Sequence, residues 1–175
     1  MDGHQNSVYD SACGPIEERG ILMRKKILMA ASSGGHLEEA LALKALKDRY
    51  DTVLITEKTD YQVNFWQDNT YLMPQVNRKE LKSLLQFVGI FFTTFRILLK
   101  EKPDVVLSTG AMVAFPALLL GKLMGKKIIF IECMFNVDEP TLTGKLTYKF
   151  ADLFIVQWED MLKVYPKAVL GGRVF

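Results

Sequence analysis

From about residue 26 onward, short apolar runs alternate with longer amphipathic stretches. The runs at 26–31, 52–56, 69–73, 104–108, 127–132 and 153–157 have strand length, and a last short one falls near Ala168. Several are apolar at every position, as in Val105-Val106-Leu107 and Ile128-Ile129-Phe130-Ile131. Unbroken apolarity is what a parallel strand needs when both of its faces are covered. Between the runs, 37–50, 80–100, 113–125 and 143–150 have helical composition. This β-α alternation predicts an α/β fold, a Rossmann-like parallel sheet with helices on both faces.

The first 23 residues break the pattern. They are polar, lack the apolar core of a secretory signal and show no sustained period, so a loose tail over 1–23 and one domain over 24–175 are expected. His4 and Cys13 would then be bystanders. A length of 175 residues, 49% hydrophobic and 24% charged, is enough for one sizeable core. The formal charge of +2, from 22 basic and 20 acidic residues, carries no nucleic-acid footprint. Cys13 and Cys133 match neither a metal spacing nor a CxxC pair, which favours free thiols on the cytoplasmic side.

In such a sheet, ligands sit beyond the carboxyl ends of the strands. Three places there carry chemistry. Ser32-Ser33-Gly34-Gly35-His36 follows the first strand; its glycines let the backbone approach a ligand closely, and the helix behind presents unpaired N–H groups and a positive dipole end. That suits a phosphate. Neither GxGxxG nor the Walker pattern is present, and the same turn could serve simple strand-to-helix packing with His36 on the surface. Thr109-Gly110-Ala111 repeats the small, flexible chemistry after the fourth strand, where Thr109 could equally be an N-cap. Glu132 ends an apolar strand, so its charge must point into the crevice or find a partner, a structural salt bridge being the rival account.

Taken in order, "KILMAASSGGHLEEALAL", "VLITEKT", "KPDVVLSTGAMVAFPALLLGKLMGKKIIFIE" and "TLTGKLTYKFADLFIVQWEDM" resemble the PssD-type capsule and exopolysaccharide biosynthesis proteins. These are bacterial relatives of the acceptor-side, membrane-recruiting subunit of the enzyme that adds the second N-acetylglucosamine to dolichol diphosphate. The resemblance covers about residues 25 to 175 and extends distantly to the N-terminal half of MurG-like glycosyltransferases. It implies the acceptor half of a GT-B glycosyltransferase, completed by a donor-binding partner subunit. The pair would transfer a sugar from a UDP-sugar, bound mainly by the partner, to a saccharide on a polyprenyl diphosphate. No tightly bound cofactor and no metal are implied.

By that resemblance, Ser32, Ser33, Gly34, Gly35, Thr109, Gly110 and Ala111 would hold the carrier's diphosphate or the acceptor sugar. An inverting transfer needs a general base, for which His36 is the first candidate and Glu132 the second. Two other readings remain: a non-catalytic membrane scaffold for the true transferase, and a stand-alone nucleotide-binding Rossmann protein with Glu57 on a ribose.

A lipid acceptor raises the question of membranes. The segment 80–102 is the most apolar helix, but its uncharged run is short of the roughly 20 residues that a span requires. At helical rotation, Leu84, Leu85, Val88, Phe91, Phe92, Phe95, Leu98 and Leu99 fall on a broad face expected to meet the core, with Leu81 at its start. Phe87, Ile90 and Ile97 form a second apolar patch, expected to touch an anionic membrane surface, with burial against a partner chain as the rival. Peripheral attachment at the inner face of the cell membrane is the resulting expectation.

Overall fold

A computed structural model describes residues 24–58, 69–75 and 82–174. The expected tail over 1–23 lies outside them, as do Arg78 to Leu81 ahead of the long helix. Seven strands form one sheet: β1 (Lys26–Ala31), β2 (Asp51–Glu57), β3 (Thr70–Met73), β4 (Val105–Gly110), β5 (Lys127–Ile131), β6 (Leu153–Val156) and β7 (Val169–Leu170). Their order is β3-β2-β1-β4-β5-β6-β7, and every neighbouring pair runs parallel. The expected Rossmann-like sheet is therefore present. Its strand order reverses between β1 and β4, so the crevice of the switch point opens there.

Period-two alternation assigns each strand residue to a layer. Along β1, Ile27, Met29 and Ala31 meet Leu37 and Ala40 of α1 (Gly35–Ala42) on one face. Leu28 and Ala30 turn to the other face, toward α3 (Lys82–Glu101), α4 (Phe115–Leu123), α5 (Leu142–Thr147) and α6 (Met161–Val164). Because both faces are dry, the strands could be apolar throughout. The helix expected over 37–50 is divided into α1, a 3-10 turn at Leu43–Ala45 and α2 (Leu46–Arg49). No proline or glycine breaks it; the tighter turn lines up residues three apart, so Leu43 and Leu46 both pack against the core layer under α1.

The helix α3 is rotated about its axis from its expected orientation, although Leu98 is buried as expected. Ile90 and Ile97, expected at a membrane surface, are buried in the core with Thr94 and Leu98. The outward stripe is instead Val88, Phe92, Phe95 and Leu99, with Phe92 57% exposed. Phe87 is half-buried, edge-on to Phe91. The polar stripe of Gln86, Gly89, Thr93, Arg96 and Lys100 is exposed, but it is narrow and leaves two apolar flanks that could face the core. The inward set is β-branched or small where it counts, which lets α3 approach the sheet and α4 more closely than phenylalanines would. No helix among the described residues is long and apolar enough to cross a membrane.

Candidate functional site

The glycine loop and the second loop meet at the switch point. Residues Ala30 and Ala31 pair with Ser108 and Gly110, so Thr109 is an extra residue bulged out of β4. Thr109 and Gly110, expected in the loop after the strand, are thus its end, and Thr109 is no helix cap: its hydroxyl donates to the His36 carbonyl at 2.6 Å, while its own carbonyl lies 2.9 Å from His36 Nδ1. These two bonds tie the start of α1 to the end of β4. A carbonyl only accepts, so Nδ1 carries the proton, and in the neutral ring Nε2 has the lone pair. The His36 side chain is 23% exposed.

Two glycines make room for this arrangement in different ways. Gly34 has φ +80° and caps α1, a conformation that favours glycine whatever surrounds it. Gly35 yields space, since a Cβ there would come within 2.6 Å of the Phe135 ring. One glycine thus serves the turn and the other serves packing. At the second loop Gly110 has φ +127°, and its Cβ would meet the His36 ring at 2.7 Å. Ala111 follows at φ +70°, a strained value for a residue with a side chain. The Ser108 hydroxyl accepts from Gly110 N at 3.0 Å and supports the bend.

Ser33 donates from its amide and its hydroxyl to Glu57 Oε2, at 3.2 and 3.0 Å, while the Ser32 hydroxyl donates to the Ser33 carbonyl. Glu57 therefore holds the loop from the end of β2. The next amides, of Gly35 and His36, open the helix and have no carbonyl one turn behind them.

Glu132 does not stand open in the crevice. It is 1% exposed, with its carboxyl accepting from the Thr141 hydroxyl at 2.7 Å and the Tyr165 hydroxyl at 3.0 Å. Of the two expected outcomes the second holds, with hydroxyls rather than a cation as the partners. Burial pushes its carboxyl above the ordinary range, against the pull of these hydrogen bonds. Residue Gly144 allows the seal, because any side chain there would collide with the carboxyl.

Glu39 and Gln157 also belong to the site, although neither sits in a motif. Glu39 lies three residues after His36 on the inner face of α1 and is fully buried. Its Oε1 accepts from Met134 N at 2.7 Å and from Gln157 Nε2 at 3.0 Å. Spacing alone could have put Glu39 beside His36; Gln157, a polar residue closing an apolar strand, was the second available signal. Donor atoms of His36, Glu39 and buried Cys133 lie within 4.8 Å of one another. Burial pushes the Cys133 thiol up to about 11, so without a cation beside it the thiol stays protonated at neutral pH. A cleft of about 400 Å³ lined by Lys26, Lys47, Asp51 and Glu101 lies at the other end of the sheet, remote from this chemistry.

Fold and switch-point loops together define the class, one Rossmann-like half of a GT-B arrangement. Among solved structures, MurG of Acinetobacter baumannii is similar with a TM-score of 0.64 and 20% identity, over 78% of this chain and 42% of that one. UDP-N-acetylglucosamine 2-epimerase from Rickettsia bellii has a TM-score of 0.63 and 15% identity, over 82% and 41%. The chain thus spans less than half of either.

Residues 27–174 match the family described as oligosaccharide biosynthesis protein Alg14-like, and the chain belongs to that family. The Homo sapiens UDP-N-acetylglucosamine transferase subunit ALG14 is 31% identical over 177 residues, 85% of this chain and 82% of the relative. The Mus musculus counterpart is 29% identical over 179 residues, with the same shares. A Chromobacterium violaceum N-acetylmuramyl-(pentapeptide) pyrophosphoryl-undecaprenol N-acetylglucosamine transferase is 26% identical, over 86% of this chain but 44% of that protein.

Proposed function

We propose that this chain forms the acceptor wall of a two-part glycosyltransferase, in which a donor-binding partner subunit brings a UDP-sugar to a saccharide on a polyprenyl diphosphate. The carrying observation is the His36 ring, fixed through Nδ1 to the Thr109 carbonyl at the switch point, which leaves Nε2 as the nitrogen available to substrate, with the side chain partly open. Nε2 takes the proton of the acceptor hydroxyl as that oxygen bonds to the sugar's anomeric carbon. The bond from that carbon to the diphosphate breaks, and UDP leaves with the electron pair. The amides and dipole at the start of α1, with Gly34, Gly35, Gly110 and Ala111 around them, receive the carrier's diphosphate. Ser32, Ser33 and Thr109 shape that loop through the hydrogen bonds they already make.

N-acetylglucosamine is the sugar favoured by the relatives' names, and pyrophosphoryl-undecaprenol in one of them supports the carrier class. A place in capsule or exopolysaccharide assembly is supported by the PssD-type resemblance of the glycine loops and of the segment 141–161. Glu132, sealed under Thr141 and Tyr165, shapes the floor of the site and leaves the base to His36. The outer stripe of α3, with Arg96 4.5 Å above the Phe92 ring, rests peripherally on the inner face of the cell membrane.

The test is co-expression with a donor-binding GT-B subunit, then transfer from UDP-N-acetylglucosamine to a short-chain polyprenyl diphosphate saccharide. His36→Ala should abolish transfer while the two chains still co-purify. Unchanged turnover by that variant would leave a scaffold role, and transfer by the partner alone would remove the acceptor-wall role.

A further inference from the structure

The carboxylate of Glu39 is half used. It is fully buried; Oε1 accepts two hydrogen bonds, whereas Oε2, equally buried, has no partner at hydrogen-bond geometry among the described residues, with the Cys133 thiol and the His36 ring as its polar neighbours. Such an oxygen is costly to leave alone and asks for a reason. Oε2 lies 4.0 Å from His36 Nδ1, and that imidazole is the one basic group within ion-pair distance of it among the described residues. The carboxylate is also held in place from behind. Gln157 donates from Nε2 to Glu39 Oε1 and to the Glu132 carbonyl, both at 3.0 Å, and accepts from Val174 N at 3.0 Å.

We propose that Glu39 is a positioning residue that holds His36 in its Nδ1–H tautomer and faces the imidazolium when Nε2 takes a proton. The inference rests on His36 being the base. With H on Nδ1, the ring meets two acceptors on that side, the Thr109 carbonyl at 2.9 Å and the Glu39 carboxylate at 4.0 Å. The other tautomer would turn a lone pair toward both oxygens, so together they select the form whose Nε2 is free. The other ionisable groups about the ring are few. Cys133, at the end of β5, offers a protonated thiol; Glu132 beside it is committed to Thr141 and Tyr165; Glu57, at the end of β2, is committed to Ser33.

Glu39→Gln separates this role from a merely structural one. Its amide oxygen can still accept from Met134 N and Gln157 Nε2, so the amide NH2 must take the place of Oε2 and offer a donor to Nδ1. The full-length chain contains two histidines, and a His4→Gln background leaves His36 as the sole 15N-imidazole signal. Long-range proton–nitrogen correlation at a pH where the ring is neutral then reads the tautomer directly. The expected result is Nδ1–H in the parent and a ratio shifted about tenfold toward Nε2–H in Glu39→Gln. With the partner subunit, kcat should fall about 10²-fold at unchanged KM for the polyprenyl diphosphate acceptor. An unaltered tautomer in the folded variant overturns the proposal. So does an Nε2–H ring in the parent, which needs no variant to fold. A shifted tautomer with undiminished kcat supports the role of Glu39 and instead refutes His36 as the base.

Discussion

Gly110→Ala is the sharpest perturbation of the site, because one methyl group attacks both the backbone and the ring that it shelters. At φ +127° a residue with a Cβ pays about 1–3 kcal/mol in backbone strain. The added Cβ would also sit 2.7 Å from His36 Cε1 and 2.8 Å from Nδ1, so the imidazole must move off the Thr109 carbonyl. That hydrogen bond is worth about 0.5–1.5 kcal/mol. The sum is about 2–4 kcal/mol, which in a domain of this size lowers Tm by roughly 5–15 °C. Transfer should fall about 10²-fold or more, because a displaced ring no longer presents Nε2 to the acceptor hydroxyl. Gly125→Ala is the matched control: φ is +74° and nothing lies within 4 Å of its Cβ, so it loses stability through strain alone, by about 1–2 kcal/mol. The assays are thermal unfolding of the full chain and transfer by the assembled pair below both melting temperatures. If Gly110→Ala transfers within about twofold of Gly125→Ala, the placement of the His36 ring does not govern the reaction.

Glu132 has its carboxyl raised by burial, so its contribution to stability is fully present below the unfolded value of about 4.3 and is lost as pH rises through the folded value. Glu132→Gln should therefore gain in Tm relative to the parent as pH rises from about 4 to 7, and a constant difference between the two would refute the buried placement. Glu101 and Asp152 have lowered carboxyls, chiefly through bonds from the Tyr71 hydroxyl and the Ile128 amide; their contributions run the other way and fade as acid is added to either protein. Phe92→Ser with Phe95→Ser removes two exposed rings of α3 without touching Ile90 or Ile97. Binding to anionic lipid vesicles in a flotation assay should drop about tenfold with Tm unchanged, whereas the double variant Ile90→Ser with Ile97→Ser should unfold the domain. Cys133 should resist iodoacetamide at pH 8 until denaturant is added, as read by peptide mass spectrometry, because its thiol is buried and raised to about 11.

Most of the sheet was legible because a strand covered on both faces leaves an unmistakable mark. Val105 to Leu107 and Ile128 to Ile131 have no polar residue to misplace, and the observed strand starts differ from the expected ones by at most one residue. The face of α3 was not legible for the same kind of reason inverted. With large apolar side chains on both flanks of a narrow polar stripe, periodicity has more than one solution, and the choice fell to which side chains let the helix sit close. Ile90, Thr94, Ile97 and Leu98 do so; the rings of Phe92 and Phe95 would hold the helix away. The 3-10 turn at Leu43–Ala45 carries no residue signal either, since tertiary packing of Leu43 and Leu46 sets it.

The site divides along the same line between local and non-local causes. A glycine pair before a helix, followed by histidine, announces itself in sequence, and Gly34 does hold the backbone conformation that such a pair permits. What the residues could not announce is the bulge at Thr109, which exists because β1 and β4 slip register by one residue between Ala30 and Ala31. That slip turns Thr109 away from a capping role and aims both its hydroxyl and its carbonyl at His36. It also explains why a strained Ala111 follows Gly110, since the chain must recover direction after the extra residue before Met112–Ala114 opens the next helix. Glu132 was misjudged by a related omission: its charge had to be satisfied, but the donors come from Thr141, nine residues on, and Tyr165, thirty-three residues on. Individual residue types therefore indicate which chemistry is available, while the pairing register and long-range hydroxyls decide which group faces the crevice. At this switch point they leave the His36 ring partly open, bury Glu39 behind it and remove Glu132 from reach.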